Sequence, residues 1–174
     1  MEEFTSMHTT LILNQLQYKQ WADGRTIAAV EQIDAHRFPS ELAFARQQLN
    51  HMLRVEEVFR ARLQGTEEPH TESNSELLPT TAELSERLSE SNRWLKIYFG
   101  AMPDVALREK MHFSFLDGKR GTMARVEVLF HLINHGTYHR GAIGRALDIA
   151  GGLRPADTYT VYIHAAEPQR RNES

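Results

Sequence analysis

The chain of 174 residues contains no cysteine. That absence removes disulfides, redox-active thiols, iron–sulfur clusters and thiolate zinc sites together. Any metal must be held by nitrogen or oxygen, and any thiol chemistry must use a thiol brought in from outside. Long apolar runs are also missing, since none exceeds four residues, as in Ile27–Val30 and Leu42–Ala45. A membrane span or a secretory leader needs far longer runs, and the start, Met1-Glu2-Glu3, is acidic. A soluble, cytoplasmic protein without a membrane partner is therefore expected. Basic charge is not in surplus either. Twenty Lys and Arg stand against 23 Asp and Glu, a formal net charge of -3, so nothing drives the chain toward nucleic acid or anionic lipid. With Gly at 10 and Pro at 6, the composition fits neither a fibrous repeat nor a disordered chain.

What is present is helical periodicity. A chain of this length hides roughly 70% of its extended surface on folding, enough for an apolar core without staples. Four long segments carry the period of an amphipathic helix. The first runs from about Ser6 to Ile33, with Leu11, Tyr18, Trp21 and Ala28 on the inner stripe and Ile12 as a further candidate. The second opens after Pro39 with Ser40 as N-cap and stops at Gly65. The third begins at Thr80, where Glu83 completes a capping box, and buries Leu84, Leu88, Leu95 and Tyr98. The fourth starts near Thr122 and ends at Gly151-Gly152. Gln64 to Pro79 is rich in Glu, Ser, Pro and Thr and is expected to be a mobile surface loop. Met111, Phe113 and Phe115 alternate with polar residues up to Asp117-Gly118, which predicts a hairpin between the third and fourth helices. A short extended piece is expected at Tyr159 to Ile163. The sum is an all-α four-helix bundle with a small β-hairpin, one domain over residues 1–166 with a frayed tail at 167–174.

Nine histidines are the unusual entry in the composition. Three of them, His131, His135 and His139, recur every four residues on the fourth helix. Each step of four turns the helix about 400°, so all three share one stripe. Two imidazoles at i and i+4 can reach one cation; three cannot, because His131 and His139 lie about 12 Å apart along the axis while metal–nitrogen bonds are about 2.0–2.1 Å. The pair is either 131/135 or 135/139, and His135 belongs to both. A further ligand must come from another helix, and His51, beside the apolar stripe of the second, is the obvious donor. His8, His36, His70, His112 and His164 are isolated and expected at the surface.

Several stretches in this order make the chain resemble the DinB family of DinB/YfiT-like metalloenzymes. They are Tyr18-x-x-Trp21-Ala22-Asp23, His51 with Val55-Glu56 and Arg62-Leu63-Gln64-Gly65, and Asp117-Gly118. The most specific follow: Val128-Leu129-Phe130-His131, Asn134-His135-Gly136-Thr137-Tyr138-His139-Arg140-Gly141, then Pro155 and Tyr159-x-x-Tyr162. The resemblance implies an up-down-down-up bundle, often a homodimer, with a divalent metal held by His51, His135 and His139. Zinc or nickel is the first expectation, with iron or manganese as alternatives. It also implies a small-molecule substrate, in some relatives a low-molecular-weight thiol activated for transfer or isomerisation. One departure is Ala142, where many members carry Gln. The catalytic residues are not identifiable from the sequence. His131, Glu56 and Tyr138 are candidates to support the ligands, with Glu57 as another carboxylate nearby. Arg140 is expected to pair with a carboxylate or pack against a neighbour. Three functions follow: a metal-dependent thiol S-transferase or hydrolase, a non-catalytic metal- or ligand-binding bundle with a structural or regulatory role, or a plain helical interaction module whose histidines are core hydrogen-bonders.

Overall fold

A computed structural model describes residues 7–115 and 117–171. Helix α1 spans Met7–Val30, α2 Pro39–Gln64, α3 Thr81–Gly100, and a single turn, α4, Asp104–Leu107. Strands β1 (Lys110–Ser114) and β2 (Arg120–Ala124) pair antiparallel, with Phe113 opposite Gly121. Helix α5 covers Arg125–Ile149 and α6 Tyr159–Ala166, followed by a 3-10 turn at Pro168–Arg170. Among the described residues no helix is long and apolar enough to cross a membrane.

The four long helices each touch two others. Both α1 and α2 pack against α3 and α5. Their apolar faces build two clusters. One gathers Leu16, Phe59, Leu95, Phe99 and Leu132 with Phe113 of the hairpin and Tyr162 of α6. The other gathers Val30, Leu49, Leu53, Leu84, Leu88 and Leu147. Between these stretches, on every long helix, lies a buried polar residue: Lys19 and Asp23 on α1, Glu56 on α2, Ser91 and Asn92 on α3, Arg140 on α5. They satisfy one another. Lys19 Nζ meets Asp23 at 2.7 Å, Glu56 at 2.7 Å and Asn92 at 2.9 Å, using all three of its N–H groups. Arg140 reaches Asp23 at 2.7 Å and Asp157 at 2.8 Å. Ser91 donates a short bond to Glu56. The helical core thus has a polar layer across its middle, and the expectation that Arg140 pairs with carboxylates holds.

Local signals place the helix ends. Thr80 and Glu83 form the predicted capping box. Gly65 closes α2 at φ +66°, a conformation that a Cβ would strain. Four expectations need correction. Ser40 is not the N-cap of α2; Pro39 already occupies the first turn, and Phe38 precedes it without a side-chain cap. The last long helix begins at Arg125, because Arg120–Ala124 is drawn into β2. Its entry is fixed by Glu127, whose carboxylate accepts from the Ala124 N–H at 2.7 Å. On α1 the buried stripe is Ile12, Leu16, Tyr18, Ala22, Ile27 and Val30, while Leu11 is 53% exposed and Ala28 faces solvent. Tyr159 to Ile163 is helical, not extended, since Thr158 caps the helix and Tyr159 and Tyr162 pack on Tyr18. Of the tail expected to fray, residues up to 171 include the 3-10 turn, and 172–174 lie outside the described residues.

The segment between α2 and α3 has no regular secondary structure, yet it is strapped to α2. Arg46 donates to the carbonyls of Leu78 and Pro79, Arg54 to that of Glu72, and Arg62 to the Glu68 carboxylate. His70 and Arg87 share Glu57, and Asn50 donates to Ser75. The composition of the loop suggests mobility; polar side chains, most of them long, hold it.

Candidate metal centre

Helix α5 carries His135 and His139 one turn apart on the stripe that faces α2, and α2 presents His51 to them. The Nε2 atoms of His51 and His135 are 3.1 Å apart, and so are those of His135 and His139. All three rings offer a ligand atom within 4.8 Å of one another, a grouping that could hold a metal ion. The far side of two rings is pinned. His51 Nδ1 lies 3.1 Å from the Ser73 carbonyl, and His139 Nδ1 lies 2.6 Å from Gln48 Oε1. An oxygen of this kind only accepts, so each Nδ1 carries the hydrogen, and each Nε2 of the neutral ring turns a lone pair inward.

This arrangement answers whether a cation fits. Lone pairs of His51 and His139 converge on His135, whose single ring proton cannot satisfy both. An ion bound by imidazole sits about 2.0–2.1 Å from each nitrogen, so two nitrogens 3.1 Å apart subtend roughly 95–100° at it, between the octahedral and tetrahedral angles. Electrostatics agree. Burial, with the neighbouring His139, His51 and His131, depresses His135 to about 3. Burial and His51 bring His139 to about 4. Both imidazoles are neutral at physiological pH and need shed no proton to ligate. The donor set fits a borderline divalent ion.

The other candidates fall elsewhere. His131 stays outside the triad; its ring lies 5.3 Å from those of His135 and Phe59, and burial lowers its pKa. Glu56 does not support the ligands. It faces the polar layer, bound to Lys19 and Ser91. Glu57 points to the loop side, held by His70 and Arg87. Tyr138 is 75% exposed and presents only a ring edge to His139, centroids 5.1 Å apart. Ala142, half-buried, adds no polar atom to α5. His36 and His112 are exposed as expected, whereas His70 and His164 are half-buried with partners, and the side chain of His8 lies outside the described residues. Two supporting groups escape sequence reasoning. Gln48 stands three residues before His51, a same-face spacing that points to it in retrospect. Ser73 contributes a main-chain carbonyl, which no residue pattern announces.

Beside the triad opens a cavity of about 360 Å³ in which His51, His135 and His131 form one side. Val55, Val58, Phe59, Phe115 and Met123 make the apolar part of its wall, and Arg54, Arg62, Glu72 and Ser73 line it too. Phe115 reaches this place because Gly121 leaves room; a Cβ there would lie 2.7 Å from the Phe115 ring. The three-histidine group that could hold a metal ion thus borders a cavity with a largely apolar wall.

No curated protein and no solved structure matches the chain. A family model does, the DinB family, over residues 5–172. With nearly the whole sequence covered and the three-histidine grouping in place, the chain belongs to the DinB family.

Proposed function

We propose that the protein is a metal-dependent enzyme of the thiol S-transferase or hydrolase type, with His51, His135 and His139 as ligands. The observation that carries this reading is the inward convergence of Nε2 lone pairs beside an apolar cavity. A divalent ion in that position, zinc or nickel first and iron or manganese next, supplies Lewis acidity, enough to loosen the proton of a water or a thiol near neutral pH. The chain's own residues do the rest. Ser73 and Gln48 hold two rings in the ligating tautomer and orientation. The apolar wall excludes bulk water from the small-molecule substrate and strengthens every charge interaction inside. Having no cysteine, the chain must take its thiol from a low-molecular-weight cosubstrate. The bundle is read as up-down-down-up, supported by α1 and α2 each packing chiefly on α3 and α5. A homodimer through α1 and α5 is supported by exposed Leu11 and Phe130, which line one shallow groove.

The test is metal content by mass spectrometry on tag-free protein, followed by turnover with a panel of thiols and electrophiles. Stoichiometric metal that vanishes in His135→Ala supports the site; metal unchanged by that substitution refutes it. A second reading, a non-catalytic metal-binding bundle, is favoured by one observation: neither Glu56 nor Glu57 reaches the triad to act as base. It predicts bound metal without turnover.

A further inference from the structure

The cavity beside the triad carries information about its occupant beyond the metal. Apolar side chains make most of its wall, and its polar members fall into the histidines His51, His131 and His135 and the group Arg54, Arg62, Glu72 and Ser73. His131, on the side shared with His135, makes no hydrogen bond among the described residues. Two arginines stand at the margin, and they differ. Arg62 is neutralised by the Glu68 carboxylate, at 2.7 Å and 3.1 Å, and lies against the rings of Phe59 and Phe113. Arg54 is half-buried and has no ion-pair partner among the described residues. Two of its N–H groups are used, both on the Glu72 main-chain carbonyl, at 3.0 Å and 2.8 Å. Glu72 lines the cavity as well, but its carboxylate, on an exposed side chain, makes no ion pair with Arg54 among the described residues. A guanidinium fixed by a neutral acceptor keeps its full charge and free donors for a planar anion.

A larger, more open cleft of about 530 Å³ lies on the other side of Arg54. It is already satisfied, since Glu57 there is held between His70 and Arg87. Of these two, it is the smaller cavity that sets Arg54 against a largely apolar wall.

We propose that this cavity binds a compact apolar molecule bearing one carboxylate, its hydrocarbon body against Val58, Phe59 and Met123 and its carboxylate on Arg54. This deepens the metalloenzyme reading and rests on it for the identity of the reacting partner, but the binding step itself requires only the chain. A volume of about 360 Å³ stands at the low end of the range for small-molecule sites, roughly 300–1,000 Å³, and admits a molecule of hexanoate or phenylacetate size. His131 stands where a second polar group of the ligand would need a partner. The body supplies burial and the carboxylate supplies orientation, which places the rest of the molecule toward His51 and His135.

Binding is measured by calorimetry and ligand-observed NMR, using hexanoate, hexan-1-ol and acetate as probes. Protein stripped of metal by a chelator is used first, so that no carboxylate can be counted for coordinating an ion, and metal-loaded protein second. On stripped protein hexanoate is expected to bind at least about tenfold tighter than either hexan-1-ol or acetate. Arg54→Gln should remove that advantage, Arg54→Lys should restore part of it, and Val58→Trp should weaken hexanoate and hexan-1-ol alike by filling the space. Equal binding of hexanoate and hexan-1-ol, indifference to Arg54→Gln in a folded variant, or no binding to either form of the protein would overturn the proposal. Metal content, read separately, decides the triad: metal bound without carboxylate selectivity defeats only this inference, and selectivity without metal defeats only the metalloenzyme reading.

Discussion

Replacing Lys19 by Met tests the polar layer at its centre. The side chain is fully buried, and among the described residues its ammonium is the only cation paired with Glu56. Burial alone would push Lys19 down, but the Asp23 and Glu56 carboxylates outweigh it and hold it above its ordinary value. Asp23 is held low against burial by Lys19 and Arg140 together. Glu56 is the weaker member: burial, with repulsion from Asp23, outweighs Lys19 and leaves it raised. In Lys19→Met, Asp23 keeps Arg140 at 2.7 Å and Asn92 at 3.1 Å, so the loss falls on Glu56. Breaking a buried pair by removing one partner costs about 3–5 kcal/mol. For a chain of this size that is a fall of about 6–20 °C in melting temperature. The pH dependence supplies the sharper readout. A carboxyl whose folded pKa lies above its unfolded one binds a proton more readily when folded, so its penalty is present above the folded pKa and relieved as pH falls through it. Thermal unfolding followed by circular dichroism near neutral pH and at about pH 5 should therefore show the deficit of Lys19→Met shrinking in acid. Adding Glu56→Gln should recover about 1–3 kcal/mol near neutral pH and abolish that pH dependence. A deficit below about 1 kcal/mol, or one equal at both pH values, would refute the account of Glu56 as a charge dependent on Lys19.

Two further outcomes follow from the site and the hairpin. His135 and His139 sit at about 3 and about 4 in the folded chain, so metal-free protein should lose stability as pH falls from about 6.5 toward 3, where the unfolded chain takes up protons first. Adding Zn²⁺ at about a thousandfold over its dissociation constant should raise stability by about 4 kcal/mol, and His139→Ala should reduce that gain; a melting curve with and without chelator checks both. Gly121→Val would drive a Cβ to within 2.7–2.8 Å of the Phe115 and Phe113 rings and should cost about 1–3 kcal/mol, whereas Gly24→Ala, with nothing within 4 Å, should be neutral or stabilising in the same urea titration.

Much of this was legible in the residues, and what was not has identifiable causes. The long helices follow from periodicity and from end signals such as the Thr80–Glu83 box, because those forces are local. Helix α6 eluded the same reasoning because eight residues are too few for a reliable period, and its helicity depends on Tyr18 and Trp21, over a hundred residues away. On α1 the inner stripe passes through Ile12 and not Leu11, a rotation that the adjacent leucine and isoleucine do not distinguish. Nothing in the sequence marks Lys19 and Asp23, four residues apart, as interior; Glu56, Asn92 and Arg140 on three other helices make them so. At the candidate centre, spacing alone left His131/His135 and His135/His139 equal. His51 on α2 lies beside His135 and His139, a tertiary fact that helix geometry does not give.

The histidines stand on rigid rods, but the carbonyls that orient His51 and seat Arg54 belong to the irregular stretch joining α2 to α3. Rewriting that stretch would retune ring tilt and ligand preference while leaving the frame untouched. Diversification in such a scaffold has an inexpensive route: exchange of a short connector, with the cation's anchors kept in place throughout.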